Sequence, residues 1–208
     1  MDEPVRESVS RLRAYRDRHY ETGKALFGPS PGDIYELDFF FAGALKRSYC
    51  LLRGFCDLIE SQNFVAAAPL IRLQLDNCFR TAAAGWAENP HLFASKVLGG
   101  TPIKNLKDNE GKKMTDRHLI DRLAREWPWV KDIYSVTSGF IHLSEKHIFN
   151  AMTITSEERR EAKITISDRD EFTSIAYLEA VDAFARITDL FLGFVNAYAG
   201  VRRQWNRS

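Results

Sequence analysis

A chain of 208 residues with 45% hydrophobic and 27% charged residues has the length and composition of one sizeable globular domain, which excludes a mainly disordered protein. A net charge of +1 supplies no global attraction to nucleic acid or an anionic membrane and leaves such affinity to local patches. The longest uncharged windows, Leu190 to Val201 and Ile133 to Ser144, fall well short of the roughly 20 apolar residues that cross a bilayer, and MDEPVRESVS lacks the apolar core of a signal peptide.

In chain order, Val5 to Phe27 reads as a helix with Val5, Val9, Leu12 and Leu26 on one face and a basic face of Arg11, Arg13, Arg16 and Arg18. Ser30 then Pro31 predicts a cap and first turn for a second helix running to about Ser61, whose apolar residues recur at spacings of three and four. Ser61, Gln62 and Asn63 form a short link to the next helix. Cys50, Cys56 and Cys78 make an odd count without a C-x-x-C pair, which predicts a reduced, cytoplasmic chain.

Asn63 to Trp86 is the helix around which the rest is organised. Its only charges, Arg72, Asp76 and Arg80, fall within one stripe about 80° wide at 100° per residue, and the remaining surface is apolar or small. A helix of this kind belongs in the middle of a bundle, where an unpaired charge costs several kcal/mol, to order of magnitude. Pro69, one turn before Arg72, predicts a kink or a helix start. The i, i+4 spacing lets Arg72 and Arg80 clasp Asp76 from both sides. That pattern suits an ion-pair ladder, or a site in which the arginines bind a phosphate oriented by Asp76.

A shorter helix follows, closed by Gly99, Gly100 and Pro102, and Ile103 to Lys113 reads as a flexible loop. Thr115 caps the next helix, and Pro128 restarts the chain into WVKDIYSVTSGFIHLSEKHIF. Within it, Tyr134, Ser138 and His142 are four apart and share a helix face, with Glu145 three further on if the helix continues. Imidazole is an acid or base near neutrality, and Ser138 or Tyr134 would bind the same substrate. MTIT and KITI predict a two-stranded hairpin over about 151–167, and a last helix runs from Asp170 to Trp205 into a basic tail with Arg202, Arg203 and Arg207. The arginines of the first helix and tail are a candidate nucleic-acid surface or simply solvated charge. His142 and His147 diverge on a helix, and H-E-x-x-H and phosphate-binding glycine motifs are missing, so neither a metal nor a cofactor is expected.

The central helix with I-R-L-Q-L-D at 71–76, followed by Y-S-V-T-S-G-F-I-H-L-S at 134–144, resembles a bacterial all-helical family of unknown function. That family is distantly similar to HEPN domains (higher eukaryotes and prokaryotes nucleotide-binding), over about residues 35–145. The resemblance implies a ribonuclease or toxin-type role in phage defence or stress, with metal-independent cleavage by an arginine and histidine in an R-x(4–6)-H motif. No arginine lies within six residues before His142, whereas Arg13 and His19 fit that spacing.

The expected fold is all-α, a single-domain bundle of about five or six helices with a small hairpin insertion. Three functions suit it: a ribonuclease with His142, Arg72 and Arg80 catalytic and Asp76, Ser138 and Tyr134 holding the substrate; a pocket for a nucleotide or small anion on the same residues; or a homo-oligomeric interaction protein whose polar cluster sets helix register.

Overall fold

Helix α4, Phe64–Trp86, is the axis around which the chain packs. Alanines, Ile71, Leu75, Cys78 and Phe79 give it apolar or small surface on most sides, so it is buried between α3 (Glu36–Glu60) and α9 (Ser174–Trp205). The Asn63 side-chain oxygen caps it, accepting from the Ala66 amide at 3.1 Å, after a turn that Gln62 makes at φ 60°. The helix continues through Pro69, which is an interior residue and not its start.

The computed structural model describes residues 1–28, 33–141, 144–156, 161–166 and 172–205. It is an all-α bundle with a small two-stranded hairpin, as the periodicity predicts, and its buried apolar residues form one contiguous cluster. Phe55 of α3 stacks on Phe184 of α9 with centroids 4.4 Å apart, and Phe41 stacks on Tyr198 at 4.2 Å. Each such ring contributes roughly 1.5–3 kcal/mol through burial. No helix among the described residues is long and apolar enough to cross a membrane.

Several boundaries differ from the sequence expectation. The first helix is divided at Ala14 into α1 (Glu3–Arg13) and α2 (Tyr15–Phe27). Helix α3 begins at Glu36, where the Tyr35 amide donates to Asp38 Oδ2 at 2.9 Å; the expected cap at Ser30 and Pro31 lies outside the described residues. After α5 (Pro90–Leu98), the segment expected to be flexible is instead tied down by Asp108. That buried carboxylate accepts from the amides of Glu110 and Lys112 at 3.0 and 2.9 Å and from Arg122 Nη1 at 2.6 Å, with His118 Nε2 at 2.7 Å. Burial alone would raise the Asp108 pKa, but these partners outweigh it and lower the pKa to about 2.

Helix α6 (Asp116–Leu123) is capped by Thr115, and α7 (Trp129–Ser138) ends at Gly139 before a separate α8 (Glu145–Asn150). Helix α7 carries Tyr134 and Ser138 one turn apart and stops at Ser138, and His142 lies outside the described residues. Strands β1 (Met152–Ser156) and β2 (Glu161–Ile164) pair antiparallel, with Met152 opposite Ile164 and Ile154 opposite Ala162.

Candidate functional site

Arg72, Asp76 and Arg80 sit on successive turns of α4, on the flank where α6 and α7 cross it. The pairing differs from the expected ladder. Arg80 Nε donates to Asp76 Oδ1 at 2.6 Å and Arg80 Nη2 to Asp116 Oδ1 at 2.7 Å, so this guanidinium is held between two carboxylates. Asp76 receives its second cation from α3, where Arg47 Nη1 donates to Oδ2 at 3.0 Å. Arg72 does not clasp Asp76. Its guanidinium stacks on Tyr134, 4.1 Å from carbon to ring centroid, and its nearest carboxylate is Asp116 at 3.8 Å, beyond hydrogen-bonding reach.

The reason is spatial. Asp76 has two oxygens, and both are taken by arginines whose approach is nearly ideal, which leaves Arg72 to find a different environment. The ring of Tyr134, brought alongside by α7, supplies it. With its side chain 12% exposed, Arg72 faces a cleft of about 270 Å³ shared with Asp76, Tyr134 and Ser138 and flanked by the exposed apolar side chains of Leu73 and Ile141. Three guanidiniums (Arg47, Arg72, Arg80) against two carboxylates (Asp76, Asp116) leave one positive charge, carried by the least tightly paired member.

Four of the residues singled out in the sequence, Arg72, Asp76, Tyr134 and Ser138, thus line one cleft, while Arg80 lies behind it in the ion-pair network. Ser138 Oγ donates its proton to the Tyr134 carbonyl at 2.6 Å, so towards a ligand it is an acceptor. The placement of His142 is not described; Ile141, which precedes it in the chain, lines the cleft. Arg47 and Asp116 escaped sequence reasoning because each is far from α4 in the chain. The one available signal was arithmetic: two arginines and one carboxylate on a half-buried stripe require a further carboxylate from another element.

The basic surfaces resolve differently. Arg13 pairs with Asp57 and Glu60, Arg18 with Asp189 and Arg11 with Glu7. Arg202, read as part of a solvated tail, is buried: its Nε donates to Asp38 Oδ1 at 2.6 Å beside the Tyr198 hydroxyl at 2.7 Å. Arg207 lies outside the described residues.

A larger cavity of about 800 Å³ lies between α4, α7 and α9. It is apolar inside, and Asp132, Glu145, Glu179 and Asp182 at its margin outnumber Arg186, so it disfavours an anion. For a phosphate-bearing ligand the smaller Arg72 cleft is electrostatically preferred. Comparison of the chain with protein-family models, curated proteins and solved structures gave no match.

Proposed function

We propose that the protein acts on RNA at the Arg72 cleft as a metal-independent ribonuclease, a toxin-type component of a bacterial defence or stress system in line with its HEPN-like resemblance. One observation carries the reading: a half-buried guanidinium without a hydrogen-bonded carboxylate, stacked on a tyrosine and facing a solvent-reachable cleft. A stacked guanidinium keeps its planar edge available for two phosphate oxygens. Arg80 and Arg47 fix Asp76, which lines the cleft together with Arg72. Tyr134 orients the guanidinium, and Ser138 accepts from a ribose hydroxyl.

His142 is the acid and base. Its ring takes the proton of the ribose 2′-hydroxyl as that oxygen bonds to phosphorus, then returns a proton to the departing 5′-oxygen. The products are a 2′,3′-cyclic phosphate and a 5′-hydroxyl, with Arg72 neutralising the charge that develops on the phosphoryl oxygens.

The test is digestion of total RNA and tRNA in EDTA by wild type, Arg72→Ala and His142→Ala, each first shown to have the same helical circular dichroism. Cleavage and growth inhibition by wild type alone support the reading; RNA left intact by all three rejects it.

A separate observation favours self-association. The hairpin leaves Ile154 and Ile164 of its strands exposed, and a two-stranded sheet alone is marginal in water. A second copy is the proposed partner. Sedimentation of wild type as a dimer and of Ile154→Lys/Ile164→Lys as a monomer tests it.

A further inference from the structure

The second cleft of chemical interest lies on another face, between α2 and α3, and encloses about 610 Å³. Gly23 on α2 and Ala42 on α3 leave the space; longer side chains at these positions would fill it. Its floor is the buried ring of His19, held at both nitrogens: Nδ1 lies 2.8 Å from the Tyr15 carbonyl and Nε2 2.8 Å from Ser48 Oγ. Ser48 in turn accepts from Gln74 of α4 at 2.7 Å, so the floor is anchored to the central helix. Burial lowers the His19 pKa, which favours the neutral ring.

Around this floor stand aromatic rings and cations. Tyr20 is 66% exposed, and Tyr49 meets the His19 ring edge-on at 5.9 Å. Arg16 and Lys46 approach the Tyr49 ring at 5.9 and 5.8 Å, and Arg16 Nε donates to the Tyr49 hydroxyl at 3.2 Å. Their surroundings set them apart from their neighbours. Arg11, Arg13 and Arg18 each have a carboxylate, and Lys24, whose Nζ stands 4.5 Å from the Tyr20 ring centroid, pairs with Glu21 at 2.9 Å. Arg16 and Lys46 have no carboxylate partner among the described residues, and the single acid lining the cleft is Asp17. Two cations without a carboxylate beside the half-buried Tyr49 ring, with the exposed Tyr20 ring nearby on the same cleft, attract a molecule that is anionic at one end and aromatic at the other.

We infer that the α2–α3 cleft is a binding site for a nucleoside phosphate, with the phosphate held by Arg16 and Lys46 and the base laid against Tyr20 and Tyr49. Its volume lies within the range of small-molecule pockets, about 300–1,000 Å³, and exceeds what a bare phosphate needs. The site is separate from the Arg72 cleft and does not depend on catalysis there. The same chemistry is offered by a free mononucleotide or by one nucleotide of a single strand, and the two are separable by experiment.

The experiment is calorimetric titration of the full chain with AMP, ADP, inorganic phosphate and a 2′-O-methyl oligonucleotide that cannot be cleaved through its ribose. Saturable binding is expected for AMP or ADP, or for the oligonucleotide alone if a strand is the ligand. Arg16→Ser/Lys46→Ser, both surface changes, lowers that affinity by about tenfold or more. Ala42→Phe, which fills the cleft, abolishes it, and Arg53→Ser, a change at an exposed arginine elsewhere on α3, leaves it unchanged. The inference is overturned if neither nucleotide nor oligonucleotide binds, if inorganic phosphate binds as tightly as ADP, or if the double variant binds like wild type. Because the cleavage assay varies Arg72 and His142 while the titration varies Arg16 and Lys46, failure of one proposal is distinguishable from failure of the other.

Discussion

The Arg72 guanidinium carbon lies 4.1 Å from the centre of the Tyr134 ring, while its nearest carboxylate oxygen, on Asp116, is 3.8 Å from Nη2. Two turns further along the same helix, Arg80 is bound to two carboxylates at 2.6 and 2.7 Å. Two arginines on one stripe therefore differ in kind. One is bonded into the fold, and the other is positioned by it.

Replacing Arg72 is accordingly expected to affect binding more than stability. Arg72→Lys keeps the charge but loses the planar fork and the stacking, and should weaken binding of a non-cleavable RNA about tenfold. Urea denaturation of Arg72→Lys and Arg72→Ala should stay within about 1–2 kcal/mol of wild type. A larger loss of stability with unaltered RNA affinity would make Arg72 a structural residue.

Removal of Asp76 should do the opposite. Asp76→Asn leaves Arg47 and Arg80 facing each other without their shared carboxylate, and a destabilisation of about 2–4 kcal/mol is expected. Adding Arg47→Met should recover part of that loss, because Arg47 loses its carboxylate with the first change whereas Arg80 keeps Asp116. Chemical denaturation of the single and double variants measures the coupling.

The 103–113 segment should stay ordered down to strongly acidic pH. Asp108 has a folded pKa of about 2 against an ordinary value of 3.8, so its stabilising contribution is fully present above pH 3.8 and disappears as the pH falls towards 2. Protection of the Glu110 and Lys112 amides, as hydrogen exchange relative to the intrinsic rate at each pH, should fall across that window. Asp108→Asn should remove the pH dependence and cost about 3 kcal/mol at neutral pH, since it weakens bonds to Arg122 and His118 together.

The buried Asp38–Arg202 pair predicts unequal effects of two truncations. Burial raises the Asp38 pKa, but Arg202, the Tyr35 amide and Tyr198 more than offset it and leave it lowered. Tyr198→Phe removes one hydrogen bond and should cost about 1 kcal/mol. Arg202→Ala strands a carboxylate that is 0% exposed and should cost about 3–5 kcal/mol, readable as an early thermal transition.

Much of this protein was legible in its amino-acid order. Periodicity located α3, α4 and α9, because a helix that is apolar nearly all round has no stable place except between others. Thr115 marked a helix start by satisfying an amide three residues on, and the alternation of MTIT and KITI marked the hairpin. Each of these features rests on neighbours in the chain. Arg72, Asp76, Tyr134 and Ser138 were recognisable for a related reason, as polar groups at helical spacing on otherwise apolar elements.

Pairing was decided by the tertiary structure. Arg47 and Asp116 complete the charge network from α3 and α6, and their contacts with α4 exist only once three helices have packed. The same holds for Asp108, whose loop composition suggests mobility until His118 and Arg122 are brought beside it. Arg202 has the sequence context of a solvated tail and becomes buried because α9 reaches back to Asp38. Hydrogen bonds and ion pairs act over about 3–4 Å, whatever the separation of their partners along the chain, so local sequence names the groups that need partners and packing chooses which partners they receive.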